Sequence, residues 1–257
     1  MTEEMRKQAL YKIGASEKDI AALLDYTKNV FQPRRENEGD VLSPNWPEMW
    51  GRIQDVCKIA PRLEMFNSVA GIIPVVYPGS AHDFETLLRE IVYKDKEIPN
   101  IENMGASFVS GKTLRFIILS GKPYSGVPAK DMGLKETDWL EKSSVIRKYH
   151  ECAHYYTKRF LGSSRNNLHD ELIADFCGIN AAFGEFRAEL FLKFFRMRLD
   201  IYTKDLPASA ADVIRKLAEW AAKGVEEWTG TNGFTGLDEA GRIEYLAEKE
   251  ILTYIKN

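Results

Sequence analysis

A chain of 257 residues, 44% hydrophobic and 28% charged, is near the upper size for a single core, so one domain with two lobes or two joined domains is expected. A net charge of -3 gives no electrostatic basis for binding nucleic acid or an anionic membrane surface, and no run approaches the roughly 18 apolar residues of a membrane span. Three cysteines (Cys57, Cys152, Cys177) without C-x-x-C spacing argue against a disulfide framework and a thiolate metal site, and the amphipathic start at residues 1–7 points to the cytoplasm.

Residues 2–13 and 16–31 are expected to form two helices, the second opened by Ser16 with Asp19 three positions on. The stretch from Pro33 to Gly39 supplies a polar linker. Lacking a basic recognition face, the pair reads as a packing hairpin rather than a DNA-binding helix-turn-helix. A short helix with Trp46 and Trp50 follows, and residues 72–77 form a strand that Pro74 should confine to a sheet edge. Residues 80–93 are helical again, with His82 in the first turn as a capping or surface residue.

Residues 106–109 and 113–119 predict a β-hairpin turning at Ser110-Gly111-Lys112. Ser110-Gly111-Lys112-Thr113 matches the end of a phosphate-binding loop, but Ala106 stands where its first glycine belongs and a strand, not a helix, follows. A long helix at 138–161, ended by Gly162, leads through a cap at Ser163 or Ser164 to a second helix that stops at Gly184. Further helices at 185–198, 208–227 and 237–255 complete an α-rich half. The expected fold is therefore α+β and predominantly α, with an N-terminal lobe over 1–136 and a helical lobe over 137–257.

The long helix contains His150-Glu151-Cys152-Ala153-His154, an H-E-x-x-H sequence that uses two of the four histidines in the chain. Side chains four apart share one helix face, so the two imidazoles can converge on one metal ion. Glu151, about 100° round the helix, borders that face and is placed to act as a general base without being a ligand. Trp139, Ile146, Ala153, Phe160 and Leu161 lie on the histidine side, and Arg147, Lys148, Lys158 and Arg159 on the other. An ion pair of Glu151 with Arg147 is the structural explanation of the same position.

A catalytic zinc site needs a third protein ligand, and His169, Asp170 and Glu171 are the candidates just downstream. Equal arms on either side of Gly162 return Glu171 to the level of His154 in an antiparallel helix pair. Glu171, Ala174, Asp175, Gly178 and Ala182 share one stripe, whereas His169 points almost opposite, which selects Glu171. The rest of this helix is apolar, so Glu171 and Asp175 require partners: a metal ion, or buried salt bridges to distant basic residues. Asp175 is positioned to accept the hydrogen bond of the non-ligating nitrogen of His150 or His154.

His150-Glu151-x-x-His154 followed by Glu171-x-x-x-Asp175 resembles the gluzincin class of zinc metallopeptidases, the thermolysin-like clan. The resemblance implies Zn2+ held by His150, His154 and Glu171, Glu151 as general base and Asp175 behind the ligands. It also implies a zincin-like scaffold with a small mixed sheet before the active-site helix and an edge strand for extended substrate, supplied by residues 105–119 or 123–127. It covers residues 150–175 only; Asp170 stands where the family usually has asparagine, the loop between the motifs is shorter, and no oxyanion-stabilising residue can be assigned. The expected activity is zinc-dependent hydrolysis of a peptide or protein substrate. The rival is a regulatory or interaction protein with a structural or vestigial zinc site, closed by His169 or His82.

Overall fold

The structure, a computed structural model, describes residues 1–35, 43–94, 96–98, 101–111, 114–162 and 167–256. The chain divides into two compact units: Asn37–Cys152, and Met1–Glu36 with Ala153–Asn257. This partition differs from 1–136 and 137–257, because the first residues of the chain belong with its C-terminal helices.

Helix α1 (Glu3–Lys12) starts where Thr2 Oγ1 accepts a hydrogen bond from Met5 N, with Glu3 and Glu4 in its first turn, where the helix dipole favours acids. Helix α2 (Ile20–Tyr26) is shorter than the expected 16–31. Ser16 donates to Asp19 Oδ2 at 2.6 Å, so the residues ahead of Ile20 form a capped turn, and the helix ends at Thr27. Residues 36–39 of the expected linker lie outside the described residues; ahead of them Arg34 pairs with Glu244 at 3.1 Å.

The Asn37–Cys152 unit opens with α3 (Trp46–Val56), which carries Pro47 in its first turn. Strands β1 (Arg62–Ser68), β2 (Gly71–Tyr77), β3 (Ala106–Ser110) and β4 (Arg115–Leu119) form one mixed sheet in the order β1-β2-β4-β3. β1–β2 and β3–β4 are antiparallel, and β2–β4 is parallel. The expected hairpin is β3–β4, with turn residues 112 and 113 outside the described residues.

The expected edge position of β2 is wrong: it is an interior strand. Pro74 faces Met65 of β1, and the parallel ladder to β4 pairs only Val75 and Val76, so the residue without an N–H stands just before that ladder begins. β1 was not anticipated. Its side chains are mostly exposed or half-buried, which leaves little hydrophobic alternation to read.

Val76, Phe116 and Ile118 of the sheet bury against Trp46 and Ile53 of α3 and against Phe84 and Leu87 of α4 (Ala81–Leu87). α4 continues into a π-helical turn, Leu88–Tyr93, whose Leu88 and Ile91 join the same cluster. His82 is exposed in the first turn of α4, as expected. Ser80 caps α4 by accepting from Asp83 N, and its hydroxyl donates to Asp83 Oδ2 at 2.8 Å. Asp83 Oδ1 and Oδ2 also accept from Lys58 N (2.8 Å) and Ile59 N (3.2 Å), tying the exit of α3 to the start of α4.

The Lys58 N–H, with the Ser80 and Ile59 donors, holds the Asp83 carboxyl below its usual range. A group with a depressed folded pKa stabilises the protein above its unfolded pKa, about 3.9, and loses that contribution as pH falls through the folded value. Asp83→Asn should therefore lower the melting temperature by several degrees at pH 7. The gap to wild type should close progressively on acidification below pH ~4. Thermal scans across that range test this, and a gap that stays constant with pH would refute it.

Helix α5 (Glu136–Phe160) runs through the division between the units, which falls between Cys152 and Ala153. Gly162, at φ +73°, adopts the left-handed conformation that ends it. Helix α6 (Leu168–Phe183) is capped by Asn167, whose side chain accepts from Asp170 N, and closes at Gly184 with φ +81°. The expected caps Ser163 and Ser164 lie outside the described residues.

Helix α7 (Ala188–Thr203) runs past its expected end at 198. Helix α8 (Ala211–Thr229) buries Val213, Ile214, Leu217, Ala221, Val225 and Trp228 along one face, and Gly224 admits the Tyr254 ring where any Cβ would clash. The expected 237–255 helix is instead α10 (Glu239–Glu248) followed by a 3-10 turn, Ile251–Tyr254, with a short α9 (Asn232–Thr235) before it. The fold is α+β and mostly helical, with one small four-stranded sheet. No helix among the described residues is long and apolar enough to cross a membrane.

Candidate metal centre

The apolar side of α5 is buried as expected: Trp139, Ile146 and Ala153 pack inward with His150 and His154. Trp139 Nε1 donates to Val127 O at 2.7 Å, anchoring the start of the helix. On the β1 side, Lys148 donates to Glu64 Oε1 at 2.7 Å and Tyr77 OH to Glu64 Oε2 at 2.6 Å, while Tyr149 meets the Phe66 ring edge-on at 5.3 Å. Arg147, expected on the charged side, is buried. Its guanidinium donates to Pro123 O (2.9 Å) and Ser120 O (3.3 Å) and lies 5.6 Å over the Tyr124 ring. Glu151 is half-buried.

Helix α6 is buried from Leu168 through Ile179, including Asp170, Glu171 and Asp175. Three carboxylates out of water require compensating charge or donors. Their surroundings provide both. One ligating atom from each of His150, His154 and Glu171 lies within 4.8 Å of the others, and all three residues are buried. This is the trio expected from the spacing.

Each member of the trio is held from behind. Tyr124 OH is 3.0 Å from His150 Nδ1, which leaves Nε2 to face the cluster. Tyr124 is itself set by a 3-10 turn, and its N–H donates to Ser143 Oγ of α5 at 2.9 Å. His154 Nε2 lies 3.5 Å from Glu171 Oε1, and its Nδ1 lies 3.4 Å from Asp170 Oδ2. Asp170 Oδ1 accepts from Thr157 at 3.3 Å. Glu171 Oε2 accepts from Tyr202 OH at 2.6 Å and from Arg198 Nη1 at 3.4 Å, and Arg198 Nη2 donates to Asp175.

Burial disfavours a charged imidazole at His154, but the Asp170 and Glu171 carboxylates outweigh it and raise its pKa well above the ordinary histidine value. Burial, reinforced by Glu171, pushes the Tyr202 hydroxyl upward, so it remains a hydrogen-bond donor.

Of the residues expected from sequence, His150, His154 and Glu171 come together, and Glu151 follows His150 on the same helix. Asp175, expected behind the histidines, receives Arg198, and Asp170 also faces His154, at its Nδ1. His169 is turned away, its Nε2 2.9 Å from Leu246 O and its ring edge-on to Phe31 at 5.1 Å. Burial lowers the His169 pKa.

Tyr124, Arg198 and Tyr202 were not anticipated. The signal for the last two was present: 191, 194, 195, 198 and 202 continue one helical face.

A family model described as a family of unknown function (DUF7005) matches residues 57–114 and 112–248. The chain belongs to the DUF7005 family. The matched span takes in Tyr124, both histidines, Glu151, Glu171, Asp175, Arg198 and Tyr202, so the cluster and the residues behind it all fall within the DUF7005 region. No curated protein and no solved structure matches the chain.

Proposed function

We propose that this DUF7005 member is a zinc-dependent hydrolase of gluzincin type that cleaves peptide bonds. The observation that carries the reading is the buried cluster of His150, His154 and Glu171, with one ligating atom of each within 4.8 Å of the others. Two neutral imidazoles and one carboxylate are a donor set suited to Zn2+. Bound zinc supplies Lewis acidity, which polarises a carbonyl and acidifies a water molecule. Glu151, next to His150 and half-buried, takes a proton from the attacking water and passes it to the leaving amine. Tyr124 orients the His150 imidazole through its Nδ1 atom, and the Asp170 carboxylate sets the charge beside Nδ1 of His154. The small mixed sheet ahead of α5 supports a zincin-like scaffold, with β1 and β3 as its outer strands and candidates to pair with an extended substrate.

The test pairs elemental analysis of the purified protein with peptide hydrolysis before and after chelation. About one zinc per chain is expected, with activity lost on chelation and restored by Zn2+.

A metal-free reading has one observation on its side. Arg198 bridges Glu171 and Asp175, and the raised pKa of His154 lets it serve as a second cation, so the site could be a buried ion network. That reading requires zinc-free protein with no hydrolytic activity.

A further inference from the structure

The placement of Tyr202 and Arg198 bears on how Glu171 would bind a metal ion, and the inference rests on the metal reading above. The two residues sit four apart on α7, so both project from one face toward α6. Both act on the same carboxylate oxygen: Tyr202 OH donates to Glu171 Oε2 at 2.6 Å and Arg198 Nη1 approaches it at 3.4 Å. The other oxygen, Oε1, faces His154 Nε2 at 3.5 Å. Arg198 is itself anchored by Asp175, and Tyr202 stacks on Phe195 with ring centroids 5.5 Å apart, so neither donor is free to swing away.

We infer that Tyr202 and Arg198 are positioning residues that restrict Glu171 to metal coordination through Oε1 alone. A carboxylate can bind through one oxygen or chelate through both. Donors on Oε2 occupy its lone pairs and fix the carboxylate plane, which disfavours chelation. With two imidazole nitrogens and one oxygen from the protein, a tetrahedral ion keeps its fourth position open, the condition that separates a catalytic from a structural zinc site. The role of Asp175 follows: it secures Arg198, which secures Glu171.

The experiment uses the full-length chain, freed of metal, in wild-type, Tyr202→Phe and Arg198→Gln forms. Zn2+ affinity is measured by competition with a chromophoric chelator, and the visible absorption of the Co2+-loaded protein is recorded. Four-coordinate Co2+ absorbs strongly, and the bands weaken as coordination number rises.

Zn2+ affinity should fall about 10- to 100-fold in Tyr202→Phe, and in the same direction in Arg198→Gln. The Co2+ bands should lose intensity in both as Glu171 takes up its second oxygen. A folded Tyr202→Phe with affinity within about twofold of wild type and an unchanged Co2+ spectrum would overturn the inference. Should Tyr202→Phe not fold, the same result in Arg198→Gln would overturn it. A wild type that takes up neither ion overturns the metal reading and this inference together, whereas a metal-binding wild type with indifferent variants overturns the inference alone.

Discussion

Replacing Glu151 with glutamine should lower peptide turnover by roughly 10²- to 10⁴-fold while leaving metal content at the wild-type level. The substitution keeps the size and polarity of the side chain and removes only its ability to take up a proton. Glu151 is not a member of the His150, His154 and Glu171 cluster, so its loss as a base should not disturb the ligands. Its half-buried place on α5, about 100° from His150, suits a group that must meet both water and substrate. Turnover and metal content are to be measured on the same preparation. Full activity in Glu151→Gln would remove the assigned base, and loss of metal would make Glu151 a ligand. A structural or vestigial site predicts that neither quantity separates the variant from wild type.

The parts of the site that were legible in sequence are those fixed by helical periodicity. His150 and His154 share a face because they are four apart, and Glu171, chosen by its stripe on the following helix, joins them in the cluster. The same helix geometry places Asp170 and Glu171 side by side at the start of α6. An imidazole has a nitrogen on either side of its ring, and neighbouring residues on α6 serve both: Glu171 faces Nε2 of His154 and Asp170 faces Nδ1.

Tyr202 lies one turn beyond the expected end of α7 at 198, on helical spacing that continues to Thr203. Tyr124 sits in an irregular turn, whose register against α5 no sequence period encodes. In the sheet, β3–β4 showed itself as a hairpin, a local feature, whereas the interior place of β2 depends on a parallel pairing with distant β4. The C-terminal helices were legible as a group, and their boundaries moved where one long expected helix proved to be a helix and a 3-10 turn.

His154→Ala should abolish stabilisation by zinc and also weaken the chelator-treated protein, and these two effects separate the rival readings of the site. Without metal, the His154 imidazole lies between the Asp170 and Glu171 carboxylates, whose attraction holds it protonated against the cost of burial. Deleting it withdraws a cation from a buried group of acids and should cost about 3–5 kcal/mol of stability. That loss is expected of the chelator-treated protein under either reading, because both place the metal-free imidazole between the same carboxylates.

Added Zn2+ is what discriminates. A ligand that binds only the folded state stabilises it by about 2.7 kcal/mol at a hundred times its Kd, so wild type should melt several degrees higher with zinc than with chelator. His154→Ala lacks one of three ligands and should show no such rise at the same concentration, since losing a ligand costs more affinity than the roughly 100-fold typical of an outer-shell change. Melting curves of both proteins, with chelator and with Zn2+, decide the matter. A zinc-dependent rise confined to wild type places the metal among His150, His154 and Glu171. Equal curves with and without zinc in both proteins would leave the buried ions as a stabilising network and take the hydrolase reading with them.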